Sequence, residues 1–552
     1  MKKNTFILTL CMWCVALAVH AQHIPTLEEA VYGGLVRTEG GGSVNWMKDG
    51  EHYSKIERNA AGGFDVMAYN AKDNSKEVLI PADKLVNPET GKPIRVRSFA
   101  FSDDNTQVLI YTNTRRVWRM DTRGDYWVLN IQSGKLQQLG KARPEATLMF
   151  AKFSPDGTKV AYVSQNNIYV ETLADGSVIQ LTKDGDEKIV NGTFDWVYEE
   201  EFGFNRAFDF SADGTMLAYI RFDESQVPMY SFPWYKGLNP SLDEYTVYPG
   251  AYEYKYPMPG VDNSKVTVHT FDIKSKVTRQ MDLPLDVDGY IPRIQFTDNP
   301  DVLAIMTLNR HQNRFDLYFA NPRSTLCKLV VRDEADQYIK EEAYGNMTFY
   351  PENFVMMSER DGYNHLYLYS AGGNLIKQIT KGQFEVKDFL GWDKKTNTYY
   401  YTSNEGSPLR SAVYKIDAKG RKTKLSVKEG TNRAIFSKSM KYYINTFTNI
   451  TTPPVITIND NTGKTLTTLV DNKRLAEKVA NLHMPSKEFF TFTTSDGVEL
   501  NGWMMKPANF DANKKYPVIM HQYSGPGSQR VLDQWNIGSG SDGGMFEAYM
   551  AD

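Results

Sequence analysis

With 552 residues, 41% of them hydrophobic and 23% charged, the chain has the profile of a soluble globular protein of at least two domains. A formal net charge of −3, with both signs interspersed, excludes the basic face that nucleic-acid binders carry, and no nucleic-acid partner is expected. Aromatic residues reach 13%, with 33 tyrosines, which favours strands over helices.

The first 21 residues read as a signal peptide. Lys2 and Lys3 form the positive region, Phe6 to Val19 the apolar region, and Val19-His20-Ala21 the small-residue cleavage site. Export to a periplasmic or extracellular compartment is therefore expected, with no membrane segment after cleavage, since no other run is long enough to span a bilayer. Cys11 and Cys14 leave with that segment. Cys327 remains alone, so the mature chain forms no internal disulfide.

A repeat follows. Phe101–Tyr111, Phe153–Tyr162 and Phe210–Tyr219 each run aromatic, Ser, a turn built on Asp-Gly or Asp-Asn, then an apolar strand. Weaker copies start near Trp46, Phe296, Phe349, Trp392 and Phe436. The spacing suits one four-stranded blade per copy, which predicts a mainly β fold, an eight-bladed β-propeller over 46–482. The interval between Phe210 and Phe296 holds an aromatic insertion containing Tyr230–Tyr235 and Tyr252–Pro257. It is either an arm that packs on a second subunit or a loop folded over its own blade.

After about Leu482 the pattern changes. Glu488–Thr494 and Val498–Met505, joined at Ser495-Asp-Gly497, predict a hairpin. Lys515–Met520 is a short apolar run that suits a strand covered on both faces, as in a doubly wound sheet. His521–Pro526 turns the chain at the C-terminal end of that strand, where open α/β sheets place their active sites. Phe546–Asp552 reads as the start of a helix.

Asp195–Phe202 places three consecutive glutamates, Glu199, Glu200 and Glu201, between aromatic residues. Such a run is either a solvated acidic face or a carboxylate cluster that binds a cation. Strand geometry would send neighbouring glutamates to opposite faces, so convergence requires a helical turn or loop. A carboxylate–ammonium contact gains about 5 kcal/mol gross at ~3 Å with an effective dielectric near 20, and desolvation removes much of it. The remainder would still separate a free amine from a blocked one.

The Asp-Trp-Val-Tyr-Glu-Glu-Glu segment at 195–201 resembles the signature of the dipeptidyl peptidase IV branch of the prolyl oligopeptidase family of serine peptidases. The resemblance implies that Glu200 and Glu201 grip the substrate's free N-terminus, with Glu199 in support. It implies that Arg119, after Trp118, contacts substrate carbonyls and helps order the glutamates. It also implies that Tyr523, in Gln-Tyr-Ser-Gly-Pro, donates its hydroxyl to the oxyanion of a tetrahedral intermediate, a role that suits a neutral phenol. Phe222–Pro228 and Tyr256–Gly260 resemble the flanks of the family's propeller arm, making 222–260 a candidate homodimer contact.

The domains expected are then a signal peptide (1–21), an N-terminal segment (22–45) that packs on the hydrolase part, the propeller (46–482) and an incomplete α/β-hydrolase domain (483–552). No Gly-x-Ser-x-Gly is present; neither Ser539 nor Ser541 has glycine at both required flanks. The nucleophile, Asp and His of a triad are therefore absent from these residues, and the sequence reads as a C-terminally truncated fragment, of bacterial type, that binds without cleaving. The activity implied for the family is release of N-terminal X-Pro or X-Ala dipeptides from peptides. The alternatives are a non-catalytic propeller binding module, or a related oligopeptidase or acylaminoacyl peptidase that would not need the paired glutamates. No cofactor or metal is expected: the histidines are scattered without a His-x-x-x-His pair, and Gly40–Ser43 lacks the lysine and helix of a phosphate loop.

Overall fold

A computed structural model describes residues 25–551, apart from 33, 35, 41–43, 236–247, 483, 524, 526 and 539–542. The signal peptide, Ser539, Ser541 and the tip of the aromatic insertion lie outside the described residues. The chain is mainly β, with eight antiparallel meanders in sequence order. They cover 45–80, 98–138, 148–180, 189–280, 290–334, 348–378, 386–424 and 431–470. The second and third touch through one bridge, Gly124 to Leu148.

Each repeat aromatic sits in the first strand of its own sheet, from Trp46 through Phe101, Phe153, Phe210, Phe296, Phe349 and Trp392 to Phe436. In the three clearest copies the turn that follows is built the same way. Ser102, Ser154 and Ser211 each donate to the aspartate two residues on, all at 2.6 Å. Asn105, Gly157 and Gly214 supply the left-handed step at φ 59°, 68° and 67°.

Strand alternation then gives every sheet two apolar faces. In the second sheet Val108 and Ile110 pack against Val66 and Ile80 of the first, whereas Leu109 packs against Val160 and Tyr162 of the third. In the seventh, Tyr399 and Tyr401 face Val355 and Met357 of the sixth, whereas Tyr400 faces Tyr443 of the eighth. A larger core joins the third to the sixth. The eighth sheet packs on the first through Ile444 and Ile458 against Tyr53, Met67 and Tyr69. Trp46 Nε1 donates to the Ile435 carbonyl at 2.8 Å, and Ser439 Oγ to the Gly50 carbonyl at 2.7 Å. Each buried apolar side chain at these seams contributes about 1.5–3 kcal/mol. In five of the eight sheets the last strand is only three or four residues long, as at solvent-facing Val178–Gln180 and Lys422–Lys424.

Five helices lie among the described residues: α1 (Leu27–Val31), α2 (Trp196–Phe202), α3 (Glu342–Gly345), α4 (Lys473–Ala480) and α5 (Gly544–Ala551). Ala30 and Val36 pack with Leu475, Leu482 and Met545, so the N-terminal segment, α4 and α5 share one small core. Asp533 ties this region to the seventh and eighth sheets. Its carboxylate accepts from Arg410 Nε at 2.8 Å and from the Ile450 amide at 3.1 Å.

The hairpin forms as Lys487–Thr493 paired with Glu499–Met505. The apolar run at 515–520 does not form the covered strand its composition predicts. Val518, Ile519 and Met520 are 87%, 70% and 86% exposed and belong to no ladder. A buried strand needs backbone partners and a covering layer, and among the described residues neither flanks this run.

Candidate functional site

Helix α2 interrupts the first strand of the fourth sheet. Ile189–Asn191 and Phe208–Phe210 both pair with Met216–Asp223, and residues 192–207 leave and rejoin that edge. The local sequence explains the helix. Asp195 is its N-cap, with Oδ1 accepting from the Tyr198 amide at 2.9 Å. Gly203, at φ 54°, closes it, and the Phe204 amide donates to the Tyr198 carbonyl at 3.0 Å. Val197, Tyr198 and Phe202 are buried, and the Tyr198 hydroxyl accepts from the Ile291 amide of the fifth sheet at 3.0 Å.

The three glutamates occupy three different surroundings. The Glu199 carboxylate is turned inward, with Oε2 buried and unpartnered. Burial, and then the neighbouring Glu200 charge, holds its carboxyl above the usual range, against a backbone hydrogen bond from Arg119. Glu200 accepts from Arg119 Nη2 at 2.6 Å, with the glutamate side chain 25% exposed and the arginine 74%. Glu201 is exposed and carries no hydrogen bond or ion pair among the described residues.

Arg119 comes from the second sheet. Val117 pairs with Met120, leaving Trp118 and Arg119 as a two-residue turn. Trp118 adopts φ 49°, a conformation that costs a bulky residue on the order of 1 kcal/mol. Its ring packs 5.7 Å from Phe194 and 6.1 Å from Tyr254, which holds the turn against α2 and the insertion. The insertion is a two-stranded ribbon, Met229–Trp234 against Gly250–Lys255. Its base packs on Trp196, 4.4 Å from Tyr256, whereas Trp234, Tyr235 and Tyr248 are exposed. The base of the insertion thus folds back on its own sheet, as one of the two readings of it expects.

Tyr523 shares no hydrogen bond, ion pair or ring contact with Glu200, Glu201 or Arg119. It is 57% exposed, and the Arg530 guanidinium lies 4.6 Å from its ring centroid. The structure therefore brings together Arg119 and Glu200, with Glu201 next in the helix, and gives Tyr523 no direct contact with them.

Beneath α2 lies a second acidic pair. Asp195 Oδ2 accepts from Ser264 Oγ, and burial holds its carboxyl above the usual range. Glu224 is 8% exposed, and burial, followed by the Asp195 charge, pushes its carboxyl up to about 8, with Lys255 acting the other way. The unfolded chain ionises this group near 4.5, so as pH rises from there to about 8 the unfolded state sheds a proton that the folded state keeps. Stability tied to Glu224 is complete below pH 4.5 and lost progressively up to about 8. Glu224→Gln should match the parent at pH 4 and exceed it by on the order of 3 kcal/mol at pH 8. Urea denaturation at the two pH values checks this, and an equal offset at both would refute it.

The family described as Dipeptidyl peptidase IV (DPP IV) N-terminal region matches residues 102–454, more than half of the chain. The chain belongs to the dipeptidyl peptidase IV family. Curated members of that family align along most of it. Dipeptidyl peptidase 4 of Trichophyton rubrum is 30% identical over 508 residues, covering 89% of this chain and 63% of that protein. The probable dipeptidyl peptidase 4 of Aspergillus flavus is 28% identical over 528 residues, covering 92% and 65%. The chain thus spans less than two thirds of the length of these dipeptidyl peptidase relatives. Among solved structures, Porphyromonas gingivalis dipeptidyl peptidase 4 superposes with TM-score 0.87 at 37% identity, covering 96% of this chain and 72% of that one. A putative dipeptidyl aminopeptidase IV from Bacteroides ovatus gives 0.76 at 25%, covering 96% and 73%.

Sequence reasoning about this dipeptidyl peptidase IV family member missed the residues that hold α2. Ser264 and Ile291 act from 69 and 93 residues away. Arg293 Nη2 donates to the Phe202 carbonyl at 2.7 Å, from 91 residues away. Only the N-cap aspartate before an apolar turn was a local signal.

Proposed function

We propose that this chain carries the substrate N-terminus recognition of an exported serine exopeptidase that releases X-Pro or X-Ala dipeptides. The observation that carries the reading is the placement of Glu200 against Arg119 with Glu201 exposed and unpartnered beside it. An ammonium ion needs carboxylate oxygens not already consumed by a fixed cation, and Glu201 offers them. Arg119, mostly exposed, can keep one edge on Glu200 and turn another toward a substrate carbonyl. Family membership and the names of the relatives support the peptidase assignment.

In this reading the eight sheets form a closed eight-bladed propeller, supported by the contacts between the eighth and the first. Residues 483–552 belong to an α/β-hydrolase domain, and the ribbon within 222–260 contributes to a homodimer. Tyr523 donates to the oxyanion once the strand before it is covered and its ring is carried toward the site. The serine nucleophile is not among these residues, which contain no Gly-x-Ser-x-Gly. The charged start, apolar run and cleavage site of residues 1–21 support export.

The test is calorimetric binding of Ala-Pro-Ala and its N-acetylated twin. Binding of the free amine at least 30-fold tighter than the acetylated peptide is expected. Equal affinities would end the exopeptidase reading.

A further inference from the structure

Helix α2 has an electrostatic difficulty. Seven residues long, it carries three adjacent carboxylates in its C-terminal half, where peptide dipoles already present negative partial charge. Arg119 lies on the solvent side and is mostly exposed, so it does not fix the backbone. The cation that meets the end of the helix is Arg293, in the first strand of the fifth sheet.

We infer that Arg293, together with Glu341, is the positioning clamp that sets the orientation of Glu200 and Glu201 for amine recognition. This inference rests on the recognition reading above. Arg293 Nη2 donates to the Phe202 carbonyl at 2.7 Å and to Glu341 Oε1 at 3.0 Å, while Nη1 donates to the Pro292 carbonyl at 2.7 Å. The guanidinium lies 5.3 Å from the Phe204 ring centroid and 5.7 Å from that of Tyr344 on α3. Its side chain is only 19% exposed. Glu341 is pressed against the end of the helix, since a Cβ on Gly203 would stand 2.9 Å from its Oε1. A planar fork that serves a helix carbonyl and a carboxylate at once fixes both distance and angle, which a lysine ammonium would not. With Asp195 as its N-cap, α2 is held at both termini.

The experiment measures the free-amine and N-acetylated Ala-Pro-Ala peptides against Arg293→Met, Arg293→Lys and Glu341→Gln. It adds hydrogen exchange of the 198–204 amides in the peptide-free proteins. Arg293→Met should weaken the free-amine peptide at least tenfold, leave the acetylated peptide unchanged and speed exchange in α2 at least tenfold. Arg293→Lys and Glu341→Gln should fall between, with three- to tenfold losses, and they carry the test if the methionine variant does not fold. Free-amine binding within twofold of the parent in all three variants overturns the clamp. So does a loss shared equally by both peptides, which marks general destabilisation. If the parent itself fails to separate the two peptides, the recognition reading falls, and exchange in α2 still decides whether Arg293 holds the helix.

Discussion

Glu200→Gln combined with Glu201→Gln should abolish the preference for a free N-terminus, lowering free-amine affinity at least 30-fold. Each carboxylate–ammonium hydrogen bond nets about 1.5–3 kcal/mol, so losing two is worth at least that factor. The N-acetylated peptide should bind as before, because its amide gains nothing from the carboxylates. Thermal stability should barely move. The Arg119–Glu200 pair has one partner 74% exposed, and such pairs contribute about 0–1 kcal/mol. Removing two negative charges from the dipole-negative end of α2 offsets even that. Calorimetry on both peptides, beside a melting curve, reads all of this. Retained discrimination in the double variant would show that the amine is recognised elsewhere.

Asp195→Ala should cost about 2 kcal/mol of stability, and the same change should weaken free-amine binding at least tenfold. The stability loss combines about 1 kcal/mol for the N-cap with a buried Ser264 hydroxyl left without its acceptor. Part is returned because Glu224 loses the like charge beside it. Asp195→Asn keeps an acceptor for the Tyr198 amide and should recover most of both effects. Urea midpoints and peptide titrations decide the matter; an alanine variant that binds normally would mean that α2 holds its shape without its cap.

The eight repeats were legible because their signal is local. In the three clearest copies an aromatic, a Ser-x-Asp turn and a left-handed Gly or Asn lie within six residues, and all eight aromatics found their first strands. Helix α2 had one local signal, the N-cap aspartate Asp195, and the sequence itself went only as far as a helical turn or loop at the three glutamates. The individual fates of Glu199, Glu200 and Glu201 were not legible, because the inward turn of Glu199 and the pairing of Glu200 depend on a hairpin 81 residues earlier. Arg293 reads in sequence as one charge in the strand Tyr290–Phe296, and only the neighbouring sheet gives it a helix end to hold. Val518–Met520 misled in the opposite direction. Apolar composition reports a preference for burial, while strand formation depends on partners that composition does not supply.

The brief, solvent-facing last strands have a consequence for behaviour at high concentration. A strand that ends a sheet offers unpaired amides and carbonyls to any other extended chain, the usual route to lateral aggregation. Here those borders are three or four residues long at Leu136–Gln138, Val178–Gln180, Val277–Gln280, Leu375–Gln378 and Lys422–Lys424. Lysine or arginine sits within several of them, as at Arg279, Lys377, Lys422 and Lys424. Borders this short offer little length on which a neighbouring chain could pair, and the lysines and arginine on some of them add charge that opposes such pairing.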